Sequence, residues 1–406
     1  MTRADGERIG VVGAGLVGLA VAREVLLRRP GAQVTVFEKE DRVAAHQSGH
    51  NSNVLHAGLY YRPGSLKAVL CRRGGAMLRE FCAEHGVALR ELGKVVVATT
   101  PAELSALDEI ETRARANGVP GLRRLDRPGL REVEPRVQAL GGLHSPHTAA
   151  VDYPGVAAAL ARDVTARGGE VLLGTGVDAV TAGTGTPGTA GAVGVRSGER
   201  EWWLDRLVVC AGLQADRFAE AVRAAGDLRI VPFRGEYYEL RPQARDLVRG
   251  MVYPVPDPRY PFLGVHLTRD LAGGVHVGPN AVLALALEGY RRRDVSGRDL
   301  RRVATWPGAW RLARRHWRAG ASELAGSLSV RAYLQRARAY LPELTAADLV
   351  PAGAGVRAQA VRRDGTLVDD FELQTAGPVT LVRNAPSPAA TSCLAIAERI
   401  VAALPA

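Results

Sequence analysis

Cysteine is scarce and scattered. Cys71, Cys82, Cys210 and Cys393 include no CxxC pair, so neither a disulfide framework nor a zinc site is expected, and a reducing cytoplasm fits. Long apolar runs are missing too: none approaches the roughly 20 residues of a membrane span. The polar start Met1-Thr2-Arg3-Ala4-Asp5-Gly6-Glu7-Arg8 runs straight into an apolar strand, which leaves no room for a signal peptide. Lysine occurs only at Lys39, Lys67 and Lys94, so the formal charge of +11 is carried almost wholly by arginine. Such charge attracts anionic substrates, a membrane surface or nucleic acid. With no dense basic tail and no recognisable RNA module, nucleic acid is set aside as a partner.

What the chain does have is length and a fingerprint. Its 406 residues, 47% of them hydrophobic, can form a sizeable core divided over two or three domains. Ile9-Gly10-Val11-Val12 reads as a strand, Gly13-Ala14-Gly15-Leu16-Val17-Gly18 as a glycine turn, and the apolar spacing of Leu19, Ala22, Val25 and Leu26 as a helix. Gln33 to Phe37 forms a second strand that ends at Glu38. In this dinucleotide-binding unit Gly13 makes the tight turn, Gly15 admits a pyrophosphate, and Gly18 lets helix and strand pack closely. The helix N-terminus offers N–H groups to the phosphates, and Glu38, about 20 residues after Gly18, takes the ribose hydroxyls. A carboxylate there repels a 2′-phosphate, which disfavours NADP.

FAD and NAD both use this fingerprint. The polar, histidine-rich segment His46-Gln47-Ser48-Gly49-His50-Asn51-Ser52-Asn53-Val54-Leu55-His56-Ala57-Gly58-Leu59-Tyr60-Tyr61 suits a cofactor that extends beyond the pyrophosphate, which favours FAD. With the fingerprint before it, this segment resembles the L-2-hydroxyglutarate dehydrogenase/oxidase family, within the FAD-dependent oxidoreductases that share the D-amino-acid oxidase type of fold. Further matches are Phe233 to Leu240, Tyr260 to Asn280, Val356-Arg357-Ala358-Gln359, and Arg383 to Ser392, so the resemblance spans nearly the whole chain. Asn53 departs from it, standing where that family typically carries glycine.

The order of elements gives an α/β fold with an α+β second part: a discontinuous Rossmann-like FAD-binding domain over 1–88, 147–228 and 346–406, and an antiparallel-sheet substrate domain over 89–146 and 229–345. Ser65 caps a helix from Leu66 to about His85. Thr181 to Gly198 reads as a hairpin with a loose loop, Leu349 to Gln359 as a return to the cofactor domain, and Ser387 as the N-cap of a last helix with Pro388 just inside it. Trp306 to Tyr340 interleaves Trp306, Trp310, Leu312, Trp317, Leu324, Leu328, Tyr333 and Leu334 with arginines. Most such stretches pack on their own domain, yet this one is the best candidate for a peripheral membrane contact.

The resemblance implies oxidation of a small anionic 2-hydroxy acid, with electrons passed to oxygen or a membrane quinone; an amine or amino-acid oxidase on the same fold is the alternative. It implies FAD contacts from Gly13, Gly15, Leu16, Val17, Gly18, Glu38, Lys39, Gln47, Ser48, His50, Asn51, Ser52, Val54 and His56. Further contacts are expected from Val177, Ala211, Gly212, Arg357, Pro388, Ala389, Ala390 and Thr391. For the chemistry, Arg357 suits a bidentate carboxylate anchor at a glycine-apolar-arginine turn, with Arg234 next in line. His266, on an expected strand, suits the base, and His56 is the rival or a flavin-side residue. Tyr237, Tyr238 and Tyr61 complete the expected lining. The pairs His46/His50 and His144/His147 lack Cys or acidic partners at ligand spacing, so no metal is expected.

Overall fold

The computed structural model describes residues 6–182, 193–224, 226–257 and 263–405. The loop expected between Thr181 and Gly198 therefore lies mostly outside the described residues, as do Tyr260, Pro261 and Phe262 of the Tyr260 to Asn280 stretch.

The fingerprint folds as its spacing requires. The strand Arg8–Val12 leads through Gly13, at φ 100°, into the helix Leu16–Arg28, and the strand Gln33–Phe37 pairs parallel to the first. Around them runs a six-stranded sheet in the order Glu372–Ala376, Val379–Asn384, Arg206–Val209, Arg8–Val12, Gln33–Phe37, Glu170–Leu172. It is parallel except for its first strand. One face is buried under the helices Leu16–Arg28, Leu66–His85, Tyr153–Ala166 and Ala389–Ala403, whose apolar residues form one core cluster. The other face is covered by a three-stranded sheet, Ala179–Ala182, Val193–Ser197 and Arg200–Leu204, with Val193, Val195 and Leu204 against Phe37 and Val209.

Local signals set the helix ends. Ser65 accepts a hydrogen bond from Ala68 N–H at 3.3 Å, and Gly86, at φ 64°, closes that helix in the left-handed region. The last helix departs from the expectation. Its cap position is Pro388, whose ring has no hydrogen-bond acceptor to offer, and Ser387 lies one residue further out. Two of its neighbours are packed by backbone: a methyl carbon on Gly74 would lie 2.6 Å from Ser392 Cα.

The second layer is a nine-stranded sheet, antiparallel except where Lys94–Ala98 runs parallel to Met251–Pro254. Its order is Val282–Leu283, Leu228–Leu240, Val275–Gly278, His266–Arg269, Met251–Pro254, Lys94–Ala98, Gly141–Ser145, Arg123–Leu125, with Leu349–Arg362 also paired to Leu228–Leu240. This corrects the reading of Leu349 to Gln359. The segment pairs along nearly its whole length with Leu228–Leu240, so it is a strand of the larger sheet rather than a return to the cofactor domain. A third sheet of three short strands joins Val54–Leu55, Ala149–Val151 and Leu89–Glu91.

The nine-stranded sheet has two unlike faces. Val95, Val97, Val252, Leu267, Val275, Val277 and Tyr238 form a core with Tyr333, Leu334 and Ala337 of the helix Val330–Arg338. The period of two then sends the intervening residues to the opposite face. Register places Lys94, Tyr253, His266, Tyr237 and Arg357 together there.

The fingerprint turn is sterically tight: a methyl carbon on Gly18 would lie 1.9 Å from the carbonyl oxygen of Gly13. Gly18→Ala is expected to lower stability by about 1–3 kcal/mol, the usual overpacking range. A urea midpoint equal to that of the unchanged protein would show that the turn relaxes without cost.

Candidate functional site

The cofactor end is built from backbone. Gly13 follows the strand Arg8–Val12 beside the end of its parallel neighbour Arg206–Val209, and a methyl carbon on it would lie 2.6 Å from Cys210 O. The adjoining Ala211 and Gly212 lead into a short turn, with Gly212 at φ 50°. Leu16 N–H donates to Ser48 Oγ at 3.0 Å, while Val17 and Gly18 occupy the first turn, whose N–H groups lack intrahelical acceptors. The Glu38 carboxylate accepts from Ala14 N–H at 2.8 Å and Glu40 N–H at 3.0 Å, so it is fixed at the tip of its strand. Bare glycine backbone, a helix N-terminus and an oriented carboxylate are the groups a dinucleotide requires, so the residues fit FAD.

The segment expected to follow the cofactor is ordered by its own polar groups. Asn51 donates to Gln47 O at 3.2 Å and Ser48 O at 2.8 Å and accepts from Asn53 N–H at 2.8 Å. His50 stacks on Tyr290 with ring centroids 4.3 Å apart. Ser52 is half-buried beside it. Val54 is buried against Ala150 and Tyr253, and its carbonyl accepts from Tyr153 Oη at 3.1 Å. Thr391 Oγ1 accepts from His56 N–H at 3.1 Å and lies 3.0 Å from Tyr153 Oη. The start of the last helix, with Ala389, Ala390 and Thr391 after Pro388, is thereby placed beside His56. The hydroxyl of Thr391 is taken up by that junction, so what it can offer a cofactor is the backbone of the helix start.

On the polar sheet face, His266 stacks on Tyr253 at 3.9 Å between centroids. Its Nδ1 lies 2.9 Å from Gly264 O, a carbonyl that can only accept, so Nδ1 carries the proton and Nε2 keeps its lone pair. Burial chiefly, then the nearby Arg357 and Lys94, push His266 down to about 3, against the Gly264 hydrogen bond. Burial likewise pushes His56 down to about 3, with Lys94 and His266 adding to it. Two neutral imidazoles thus stand beside two cations. Tyr237 and Tyr253 both feel the Arg357 charge, which places all these groups round one centre. A cavity of about 270 Å³ between Leu66, Leu70, Phe371 and Ile396 lies elsewhere and gathers no comparable acid–base set.

Two expectations need correction. Gly355-Val356-Arg357 is not a turn but the middle of a long antiparallel strand, with Arg357 opposite Phe233. Arg234 has the other parity, so it leaves the sheet on the face away from Arg357; there it pairs with Glu236 at 3.2 Å and donates to Arg291 O. It is not a reserve anchor. Lys39 is engaged by Glu40 and, at 3.0 Å, by Glu288. That ammonium fills the group Glu40, His46 and Glu288, whose spacing would otherwise suit an ion. His144 is held by Arg123 at 3.0 Å and His147 by Glu91 at 3.0 Å. Val177 packs against the apolar cluster on the Phe37 side of the cofactor sheet.

Residues 8–404 match the family model described as FAD dependent oxidoreductase. The chain is 42% identical to "L-2-hydroxyglutarate dehydrogenase, mitochondrial" of Nematostella vectensis, covering 97% of this chain and 89% of that protein. It is 44% identical to L-2-hydroxyglutarate dehydrogenase of Salmonella houtenae, covering 96% and 91%. The chain belongs to the L-2-hydroxyglutarate dehydrogenase family of FAD-dependent oxidoreductases. Its fold is shared with L-alpha-glycerophosphate oxidase from Mycoplasma pneumoniae with FAD bound, at a TM-score of 0.77 and 20% identity over 97% of this chain and 94% of that one. FAD is accordingly the cofactor of this family member.

The backbone conformation accounts for Asn53. Its φ is 53°, in the left-handed region where glycine is free and asparagine is among the best tolerated of the other residues. Lys94, Tyr253 and Tyr60 were not foreseen from the sequence. The available signal was Lys94 itself, a rare lysine heading the apolar run Val95-Val96-Val97. It is 1% exposed, lies 4.9 Å from the Tyr253 ring centroid and 5.0 Å from that of Tyr60, and has no hydrogen-bond or ion-pair partner among the described residues.

Burial pushes Lys94 down to about 8 from its usual 10.5. The sign follows from proton uptake: below pH 8 both states hold the proton and the cost of burying charge is fully present. Between pH 8 and 10.5 the unfolded chain binds more protons, so stability rises by an amount on the order of 3 kcal/mol. Lys94→Met is expected to raise the melting temperature of the substrate-free holoenzyme at pH 7 and to flatten that alkaline rise. A lower melting temperature would mean that the tyrosine rings more than offset the cost.

Proposed function

We propose that the protein oxidises L-2-hydroxyglutarate, or a closely related L-2-hydroxy acid, to the 2-oxo acid at the polar face of the nine-stranded sheet. The observation that carries this reading is the arrangement around His266: a neutral imidazole with a free Nε2, flanked by cations, in a chain whose relatives bear the dehydrogenase name at 42% and 44% identity. FAD, when bound, supplies the two-electron acceptor for the substrate C–H bond. Arg357 binds the carboxylate next to the hydroxyl, because a planar guanidinium matches a carboxylate through two parallel hydrogen bonds. His266 Nε2 takes the hydroxyl proton. The Nδ1–H to Gly264 bond holds the ring in the required tautomer, and stacking on Tyr253 fixes its plane. His56, with its main chain tied to Thr391 and its ring neutral, orders the flavin side of the same space.

The electrons pass to a membrane quinone rather than oxygen in this proposal. The support is the pair of helices Pro307–Arg315 and Trp317–Leu328, on which Trp310 and Trp317 are 62% and 63% exposed, Leu324 and Leu328 are exposed, and Arg311, Arg314, Arg315 and Arg318 are exposed as well, with Arg318 against the Trp317 ring. Trp306, Leu312, Tyr333 and Leu334 of the same stretch are buried, so only part of it is available to a surface. No helix of the described residues is long and apolar enough to cross a membrane; in this proposal the contact is peripheral, from the cytoplasmic side.

The deciding experiment is an anaerobic mixture of purified holoenzyme with L-2-hydroxyglutarate, watched at the flavin absorption band. Bleaching is expected; bleaching by amino acids or other hydroxy acids alone would move the assignment to those substrates. In the same assay His266→Ala should slow reduction by about 10²–10⁴-fold, the range for a positioned base, with the oxidised spectrum retained. Reduction at the unchanged rate would transfer the role to another group. Cosedimentation with phosphatidylglycerol vesicles should be strong for the holoenzyme and weak after Trp310→Ser with Trp317→Ser, and an absence of vesicle binding would remove the membrane proposal.

A further inference from the structure

The three lysines of this arginine-rich chain are used differently. Lys39 is paired with Glu40 and Glu288, and Lys67 with Asp369 at 2.7 Å. Lys94 alone of the three has no anion among the described residues, although it is the most deeply buried. Tyr60, from the segment after Val54–Leu55, and Tyr253, from the neighbouring strand, pack against it, and its charge is felt by Cys71 of the helix Leu66–His85 and by the imidazoles of His56 and His266. None is an acid at neutral pH: burial pushes the Cys71 thiol up to about 12 and raises Tyr60 and Tyr253 as well. A cation enclosed by neutral groups is costly unless something negative joins it.

Strand order decides what that something is. The strand carrying His266 lies between the strand of Lys94 on one side and the strands of Arg357 and its partner on the other, and the charges of both cations reach the His266 ring. A substrate whose hydroxyl faces His266 therefore has one cation toward each end. In a five-carbon 2-hydroxy diacid the two carboxylate carbons are roughly 5 Å apart when extended, from ordinary bond lengths.

We propose that Lys94 binds the second, distal carboxylate of the substrate and so selects 2-hydroxy dicarboxylates over 2-hydroxy monocarboxylates. This rests on the placement of the reaction at His266 given above. Lysine suits the position better than arginine because a compact ammonium fits between two tyrosine rings and forms a point contact, whereas a guanidinium needs room for its planar fork. The tyrosine faces hold the ammonium in place when no carboxylate is present.

The test compares L-2-hydroxyglutarate with L-2-hydroxyvalerate, which has the same chain without the second carboxylate, as reductants of the flavin in the holoenzyme and in Lys94→Met. The ratio of kcat/KM for the diacid to that for the monoacid should fall about 30-fold or more, which corresponds to losing one charge-assisted contact on binding. Lys94→Arg should restore part of the ratio. Binding is read independently by flavin spectral titration with glutarate and with valerate: glutarate affinity should fall in Lys94→Met while valerate affinity stays within a few fold. With the unchanged enzyme, kcat/KM for the diacid should also decline as pH rises through about 8, where Lys94 loses its proton, and that for the monoacid should not. An unaltered ratio, or equal losses for glutarate and valerate, overturns the proposal. If L-2-hydroxyglutarate fails to bleach the flavin yet glutarate binding depends on Lys94, the substrate reading fails and the dicarboxylate subsite stands.

Discussion

The site depends on one buried junction. Thr391 Oγ1 accepts the amide hydrogen of His56 and meets the hydroxyl of Tyr153, which also reaches the carbonyl of Val54. Thr391 opens the last helix, Tyr153 opens another, and His56 follows a strand near the start of the chain, so three distant segments close on a single hydroxyl that is wholly buried. A buried hydrogen-bond network of this kind specifies one arrangement, because breaking any member strands the others without water. The close backbone approach at Gly74 and Ser392 brings the two helices near enough for it to form. The segment that carries His56 is thereby fixed to the starts of two helices.

The substrate side uses the sheet's alternation. One face is a conventional core of valines, leucines and tyrosines under a helix; the other collects a lysine, an arginine, a histidine and tyrosines, half-enclosed by the segment that carries His56. Concentrating polar groups on one face leaves the stability of the layer to the opposite face, so the site can hold an unfavourable buried charge without unravelling its own scaffold. Arg234 and Glu236 illustrate the rule from the other side. Their parity sends them away from the site into an ion-pair group with Arg292, and an arginine next in sequence to the site strand becomes structural.

The cofactor half was legible because its chemistry is local. Gly13, Gly15, Gly18 and Glu38 act through spacing within one strand-turn-helix-strand unit, and spacing is what a sequence displays. Helix starts at Ser65 were legible for the same reason, while Ser387 misled because its neighbour Pro388 takes the cap position by backbone geometry. The substrate half was legible in type but not in membership. His266 and Arg357 are conspicuous residues; whether Arg357 or Arg234 faces the site depends on the register of strands more than a hundred residues apart, which no local pattern reports. Lys94 reaches His266 only because a parallel strand pair brings residue 94 beside residue 251.

The same electrostatics that keep His266 neutral also prepare it for a dianion. Without substrate, burial and the fields of Arg357 and Lys94 oppose a positive charge on the ring, so the imidazole is a weak base fixed in the correct tautomer. A carboxylate against each cation cancels those fields and adds negative potential at the ring, which favours the imidazolium by the ordinary opposite-charge effect. In the proposed reaction the base would therefore gain strength when both ends of the substrate are seated. A monocarboxylate neutralises only one cation and leaves the other opposing proton transfer. On this account the two cations act on discrimination twice, once in binding and again in the acidity of the group that takes the proton, and the second effect belongs to kcat rather than to KM.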